Sequence, residues 1–284
     1  MSPSRHDNSN GGGGSFRDLA RRAASAAVLA CAAITLTWAG SVPFTILCCL
    51  GAAILCWEWN RLLRGEAIGL PMWIHGAGAV AACIAVLALS LNAASAILLA
   101  ATLAVFLVPQ SGSDRLWSGL GIFYLGLAPV LLIALRANSN DGLLAILLLF
   151  LVVWSADTAA YFAGRAIGGP KLAPAISPGK TWSGCVAGLL APAVLAAAYA
   201  AWLGEGSPMM LGFVGFVLAL ASQAGDLAES AIKRRFGVKD SGSILPGHGG
   251  LFDRVDGLIG ATLAAGFIVW CRSGTVSPRA LLIW

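Results

Sequence analysis

The sequence predicts an all-α, polytopic integral membrane protein with about nine transmembrane helices. Three observations carry that expectation. Apolar residues make up 58% of the chain and charged residues only 11%, whereas a soluble domain carries about a quarter charged residues. The mean hydropathy is +0.82. The apolar residues also come in continuous runs rich in Ala and Leu, without the alternation of membrane strands. A chain this apolar cannot cover itself with polar groups, so its solvent must be lipid.

The elements follow in order. Residues 1–16 are polar, include Gly11–Gly14, and read as a disordered cytoplasmic tail. Nine hydrophobic stretches then approach the roughly 20 residues needed to cross the bilayer core. They lie near 23–39, 42–57, 72–91, 93–109, 117–135, 142–163, 183–203, 209–227 and 257–271. The second and the last are short, so their boundaries are soft. Residues 17–140 form the N-terminal transmembrane helices, and residues 141–284 the C-terminal catalytic region, with its site facing the cytoplasm. The two longest polar connections are 164–182 and 228–256.

Lys and Arg placement sets the orientation. With a cytoplasmic N-terminus and nine alternating spans, 15 of the 18 basic residues fall on the cytoplasmic side. Only Arg136, Arg272 and Arg279 fall on the other, where the C-terminus lies. This asymmetry explains the net charge of +5 without a nucleic-acid partner, for which no motif or basic stripe is present. The seven cysteines form no CxxC pair and read as small buried hydrophobes rather than a disulfide framework or metal site. The tryptophans read as interface anchors. Glu58, Arg61, Arg64 and Glu66 read as an ordinary cytoplasmic loop.

Chemistry concentrates in residues 222–256. Ser222, Asp226 and Glu229 share one helical face. An intramembrane carboxylate is costly and points to function, although Asp226 alone could be a helix-terminal acid snorkelling to water. Asp253 and Asp256 stand one turn apart at the start of the last span. A cap explains one of them; two, with Arg254 between, suit the hard oxygen ligands of Mg²⁺. Asp226 could supply a third ligand from the neighbouring span. Between these acids, Pro246-Gly247-His248-Gly249-Gly250 breaks any helix and offers backbone amides to phosphate oxygens. Lys233, Arg234, Arg235, Lys239 and His248 surround it. Cations beside carboxylates in this way suit a polyphosphate held with a metal. Upstream, Ser177-Pro178-Gly179-Lys180-Thr181 resembles a P-loop end, but Pro174 stands where the first glycine belongs. Its hydroxyls and ammonium could bind phosphate at the start of the seventh span, or simply cap it. Asp157, with Tyr161 and Arg165, reads as a surface pair or a support near a lipid headgroup.

The run Ser230-x2-Lys233-Arg234-x4-Lys239-Asp240-x5-Pro246-Gly247-His248-Gly249-Gly250-x2-Asp253-Arg254-x-Asp256 resembles the phosphatidate cytidylyltransferase family. So do Gly225–Ser230, Asp157–Arg165 and Ser177–Thr181. The likeness covers about the C-terminal half. The chain departs from the family at Gly179, often basic there, and Ser183, often acidic there. The resemblance implies transfer of the cytidylyl group of CTP to phosphatidic acid, giving CDP-diacylglycerol and pyrophosphate for phospholipid biosynthesis. It implies Mg²⁺ on Asp226, Asp253 and Asp256, a second, monovalent cation such as K⁺, and a homodimer. Catalytic roles then fall to Asp226, Lys239, Asp253, Arg254 and Asp256. Substrate binding falls to Ser177, Lys180, Thr181, Ser222, Lys233, Arg234, Asp240, His248, Gly249 and Gly250. Rival readings are a cytidylyltransferase for another lipid phosphate, a cation or proton transporter, and a CDP-alcohol phosphotransferase. The aspartate spacing of the last is absent.

Overall fold

The structure, a computed structural model, describes residues 27–65, 68–109, 112–242 and 249–284. The tail over 1–16 and His248 therefore lie outside the described residues. Among the described residues, ten helices and one short hairpin make up the fold. They are α1 (Ala27–Trp38), α2 (Ser41–Arg64), α3 (Leu70–Ala88), α4 (Leu91–Leu107), α5 (Gly112–Arg136) and α6 (Asn140–Ala166), then β1 (Lys171–Ala173) and β2 (Ser177–Thr181). The chain continues through α7 (Trp182–Leu203), α8 (Pro208–Arg235), α9 (Phe252–Ser273) and α10 (Pro278–Leu282).

Among the described residues, seven helices are long and apolar enough to cross a membrane: α2, α3 and α5 to α9. The first and fourth stretches are the shorter apolar helices α1 and α4, the latter of 17 residues. The second and last stretches are not short as helices. They run for 24 and 22 residues, because backbone hydrogen bonding continues through their charged ends after the apolar run stops.

Local chemistry sets the boundaries. Ser90, Ser139, Thr181 and Ser207 each accept a hydrogen bond from the backbone N–H three residues on, closing the starts of α4, α6, α7 and α8. Gly204 and Gly274 end α7 and α9 in the left-handed conformation. The hairpin is an addition to the helical expectation. Lys171 pairs with Thr181 and Ala173 with Ser177, antiparallel. Gly168 and Gly169 at positive φ, with Pro170 and Pro174, end the preceding helix, so the backbone satisfies its polar groups by pairing with itself.

Two apolar cores result. The larger runs through α2 to α10 and is made of small and branched side chains such as Ala79, Ala82, Leu149 and Leu218. The smaller joins Leu55, Trp59, Leu125, Ala128, Phe252 and Ile259, from α2, α5 and α9. Leu107, Met209 and Val194 are among many exposed apolar side chains, the arrangement expected where lipid is the solvent.

Candidate active site

The polar side chains converge at the end of the bundle where α2, α6 and α8 finish and α5, α7 and α9 begin. Asp226 and Glu229 come from α8 and Asp256 from the start of α9. One carboxylate oxygen of each lies within 4.8 Å of the others. Backbone contact permits this approach. A Cβ on Gly225 would stand 2.5 Å from the Asp256 carbonyl oxygen and 3.2 Å from the Gly260 Cα, so α8 and α9 touch where they cross. Ser222 is buried beside them, its Oγ 2.6 Å from where a Gly257 Cβ would be. Asp157 of α6 lies close enough to interact electrostatically with Asp226 and Asp256.

Cations frame the acids. Lys180 Nζ, at the end of the hairpin, is 2.6 Å from Asp226 Oδ2. Lys233 Nζ lies 2.8 Å from both Glu229 Oε1 and Asp253 Oδ1. Arg234 Nε donates to the Ile176 carbonyl at 3.3 Å and holds the hairpin turn against α8.

The expected trio Asp226, Asp253 and Asp256 is only partly assembled. Asp226 and Asp256 meet, and the third carboxylate beside them is Glu229. Asp253 adjoins the cluster through a side-chain contact with Glu229, and it also accepts hydrogen bonds from Ser241 N at 3.1 Å and Gly250 N at 2.9 Å, besides its ion pair with Lys233. Three residues earlier on α9, it stands about 4.5 Å nearer the preceding loop, where free amides await a first-turn acid.

Other expected residues are placed as follows. Thr181 is buried, and its hydroxyl accepts from Gly184 N as the α7 cap. Ser177 is half-buried in the hairpin. Lys239 and Asp240 are exposed on the loop after α8, and Arg254 is exposed on the first turn of α9. A cavity of about 310 Å³ opens beside Asp240, lined by Arg61, Leu62, Gly65, Val238, Ser241 and Gly242. Gly249 adopts φ 80°, and a Cβ there would stand 2.7 Å from Asp253 Oδ2. Gly250 faces Ser241 and Glu58 so closely that a side chain has no room.

Glu58 overturns the reading of its segment as a surface loop. It lies within α2, has 0% exposure, and accepts hydrogen bonds from Leu251 N and Phe252 N, both at 2.8 Å. The available signal was helical spacing. Leu55, Glu58, Trp59 and Leu62 recur on one face, and all four are buried.

A carboxylate cluster flanked by lysines, at one end of a bundle of lipid-facing helices, defines a membrane enzyme that handles phosphorylated substrates. Comparison with known proteins is more specific. A model described as the cytidylyltransferase family matches residues 20–271. The chain is 42% identical over 249 residues to the phosphatidate cytidylyltransferase of Brucella suis, covering 86% of this chain and 90% of that protein. It is 32% identical over 253 residues to that of Bacillus subtilis, covering 85% and 94%. Over the 144 residues shared with that of Haemophilus influenzae, 47% of this chain and 49% of the other, identity is 44%. The chain belongs to the cytidylyltransferase family.

Proposed function

We propose that this protein transfers the cytidylyl group of CTP to phosphatidic acid at the membrane surface, giving CDP-diacylglycerol and pyrophosphate. The observation that carries the reading is the meeting of Asp226, Glu229 and Asp256 within 4.8 Å, beside Lys180 and Lys233, in a chain whose family transfers cytidylyl groups.

The donor set fits a divalent cation. Three carboxylates this close repel one another unless positive charge stands among them, and hard oxygens select Mg²⁺ over softer metals. Asp226, Glu229 and Asp256 would hold it, with Asp253 ordering the adjoining loop. When bound, the cation neutralises triphosphate charge. A second, monovalent cation such as K⁺ rests on family resemblance.

The lipid phosphate is already a nucleophile, so no strong base is required. Its oxygen attacks the α-phosphorus of CTP in line, a new P–O bond forms, and the bond to the β-phosphate breaks to release pyrophosphate. The protein contributes positioning and charge. Lys180 can exchange its carboxylate partner for a phosphate oxygen, and Lys239 and Arg254 present further charge at the same end. The amides of Gly250, Leu251 and Phe252 are held by Asp253 and Glu58, so they order the loop beside the polyphosphate rather than donate to it.

The site faces the cytoplasm in this reading, with the N-terminus on that side and the C-terminus opposite. Among the described basic residues, Arg136, Arg272 and Arg279 stand at the far end and the others gather at the site end, as the positive-inside rule requires. The acyl chains then stay in the inner leaflet while CTP arrives from water. A homodimer is proposed on family resemblance, and the absence of a nucleic-acid partner on the lack of any motif or basic stripe for one. The test is purified protein in detergent with CTP, phosphatidate and Mg²⁺, scored for pyrophosphate and CDP-diacylglycerol. Release is expected only with all three present, and no release on addition of phosphatidate rejects the reading. Other lipid phosphates in parallel assays fix the acceptor.

A further inference from the structure

We propose that Glu58 is a positioning residue for the carboxylate cluster: from α2 it caps the start of α9 and so fixes where Asp253 and Asp256 stand. This inference rests on the cytidylyltransferase reading above. It concerns a residue of the N-terminal half, which the C-terminal motifs do not include.

The first N–H groups of a helix have no partner within it. At the start of α9 the residue in the cap position, Leu251, offers no side-chain cap. Its N–H and that of Phe252 donate instead to Glu58 Oε1 and Oε2, each at 2.8 Å, from 193 and 194 residues away in the chain. Ser241 Oγ donates to Glu58 Oε2 at 3.4 Å. A negative group is favoured at this end of a helix, and Glu58 is wholly buried there.

The surroundings are shaped to the carboxylate. A Cβ on Gly242 would stand 2.6 Å from Glu58 Oε1, and one on Gly250 2.8 Å from either oxygen. Both glycines therefore leave space that Glu58 fills. Phe252 is held from the same side, its ring 6.0 Å from that of Trp59 and 6.3 Å from that of Tyr124. Asp253, which could have capped its own helix, is occupied with Ser241 N, Gly250 N and Lys233. The start of α9 is thus gripped at two consecutive amides by one half of the molecule, one residue before Asp253 and four before Asp256. A shift there moves both acids relative to Asp226 and Glu229. Glu58 itself does not belong to the cluster, so it acts through the start of α9 and through Ser241, which also holds Asp253.

The test uses purified full-length Glu58→Gln, Glu58→Asp and Ser241→Ala. Two readouts are taken on folded, monodisperse protein: kcat for pyrophosphate release, and Mn²⁺ affinity by electron paramagnetic resonance without substrates. Gln puts an amide donor against two backbone donors. Glu58→Gln is expected to lower kcat and weaken Mn²⁺ binding together, each roughly 10- to 100-fold, as when a partner behind a metal ligand is lost. Glu58→Asp should recover part of both, since it keeps a carboxylate. Ser241→Ala should cost less than about tenfold, the scale of one neutral hydrogen bond. A folded Gln variant with wild-type kcat and Mn²⁺ affinity overturns the proposal, even if its melting temperature falls, because that pattern means a cap with no hold on the cluster. If Gln does not fold, Asp decides alone. If wild-type protein releases no pyrophosphate, it is the functional reading that fails, and Mn²⁺ affinity still judges Glu58.

Discussion

Between α2 and α5, several polar side chains inside the bundle tie one element to another, while Thr45 Oγ1, Asn60 Oδ1, His75 Nε2 and Tyr124 Oη are buried without a hydrogen-bond partner among the described residues. Glu58 takes two backbone amides, Trp59 Nε1 donates to the Trp117 carbonyl at 3.0 Å, and Arg64 donates to Ser118 Oγ at 2.8 Å. Asn60 Nδ2 donates to the Cys56 carbonyl and lies 2.6 Å from His75 Nδ1. Between α6 and α9 the acids crowd one another from a buried Glu229 outward to the Lys180–Asp226 pair, which is 25% and 34% exposed. Buried polarity in the first region joins helices, because an unpaired polar group in lipid is costly. In the second, like charges are held close together with lysines between and beside them, an arrangement that suits the binding of a charged ligand. Glu58 and Phe252 link the two regions.

The sharpest way to break that contrast is Asp256→Asn. Asp256 accepts one local hydrogen bond, from Gly257 N at 2.8 Å, so folding should persist. Turnover is expected to fall by roughly 10³-fold or more, the scale of losing a preorganised charge in a reaction centre, measured as CDP-diacylglycerol formed per folded molecule. Asp253→Asn should behave differently. Its side chain is only 9% exposed and is paired with Lys233, so loss of its charge should cost about 3 kcal/mol of stability as well as activity. A thermal melt equal to wild type would show that the loop does not depend on it.

Lys180→Met sharpens the comparison from the cation side. The part-exposed pair contributes under about 1 kcal/mol to stability, so the melt should barely move. Turnover should drop roughly 10- to 100-fold if the ammonium moves to phosphate, the worth of one charged hydrogen bond. The smallest effect belongs to the N-terminal half. Asn60→Leu with His75→Leu removes both partners of a buried pair and should change stability by less than about 1 kcal/mol, with kcat unchanged. Loss of turnover in that double variant would mean that the first region reaches the chemistry by a route other than Glu58.

The transmembrane pattern is legible in sequence because lipid leaves the backbone few options: long apolar runs become helices. Asp226 and Asp256 are legible as acids at adjoining helix ends, and they meet. Spacing along α9 does not show which way each acid turns. Asp253 and Asp256 share a face, yet Asp253 is also held by the loop amides at Ser241 and Gly250, while Asp256 has no such hold among the described residues. Glu229 shares a face with Asp226, but its place in the cluster depends on how closely α8 and α9 cross. Glu58 hides for a related reason: its partners lie nearly two hundred residues away, and no local pattern points to them. The hairpin is missed because a short antiparallel pair in a polar connection carries no periodicity to read.

The contact of α8 with α9 at Gly225 and Gly260 has a consequence for altering the enzyme. With main chain already resting on main chain, nothing there can be trimmed, and any added methyl would pry the acids apart. Variants that reposition the acids must therefore carry their changes outside this contact.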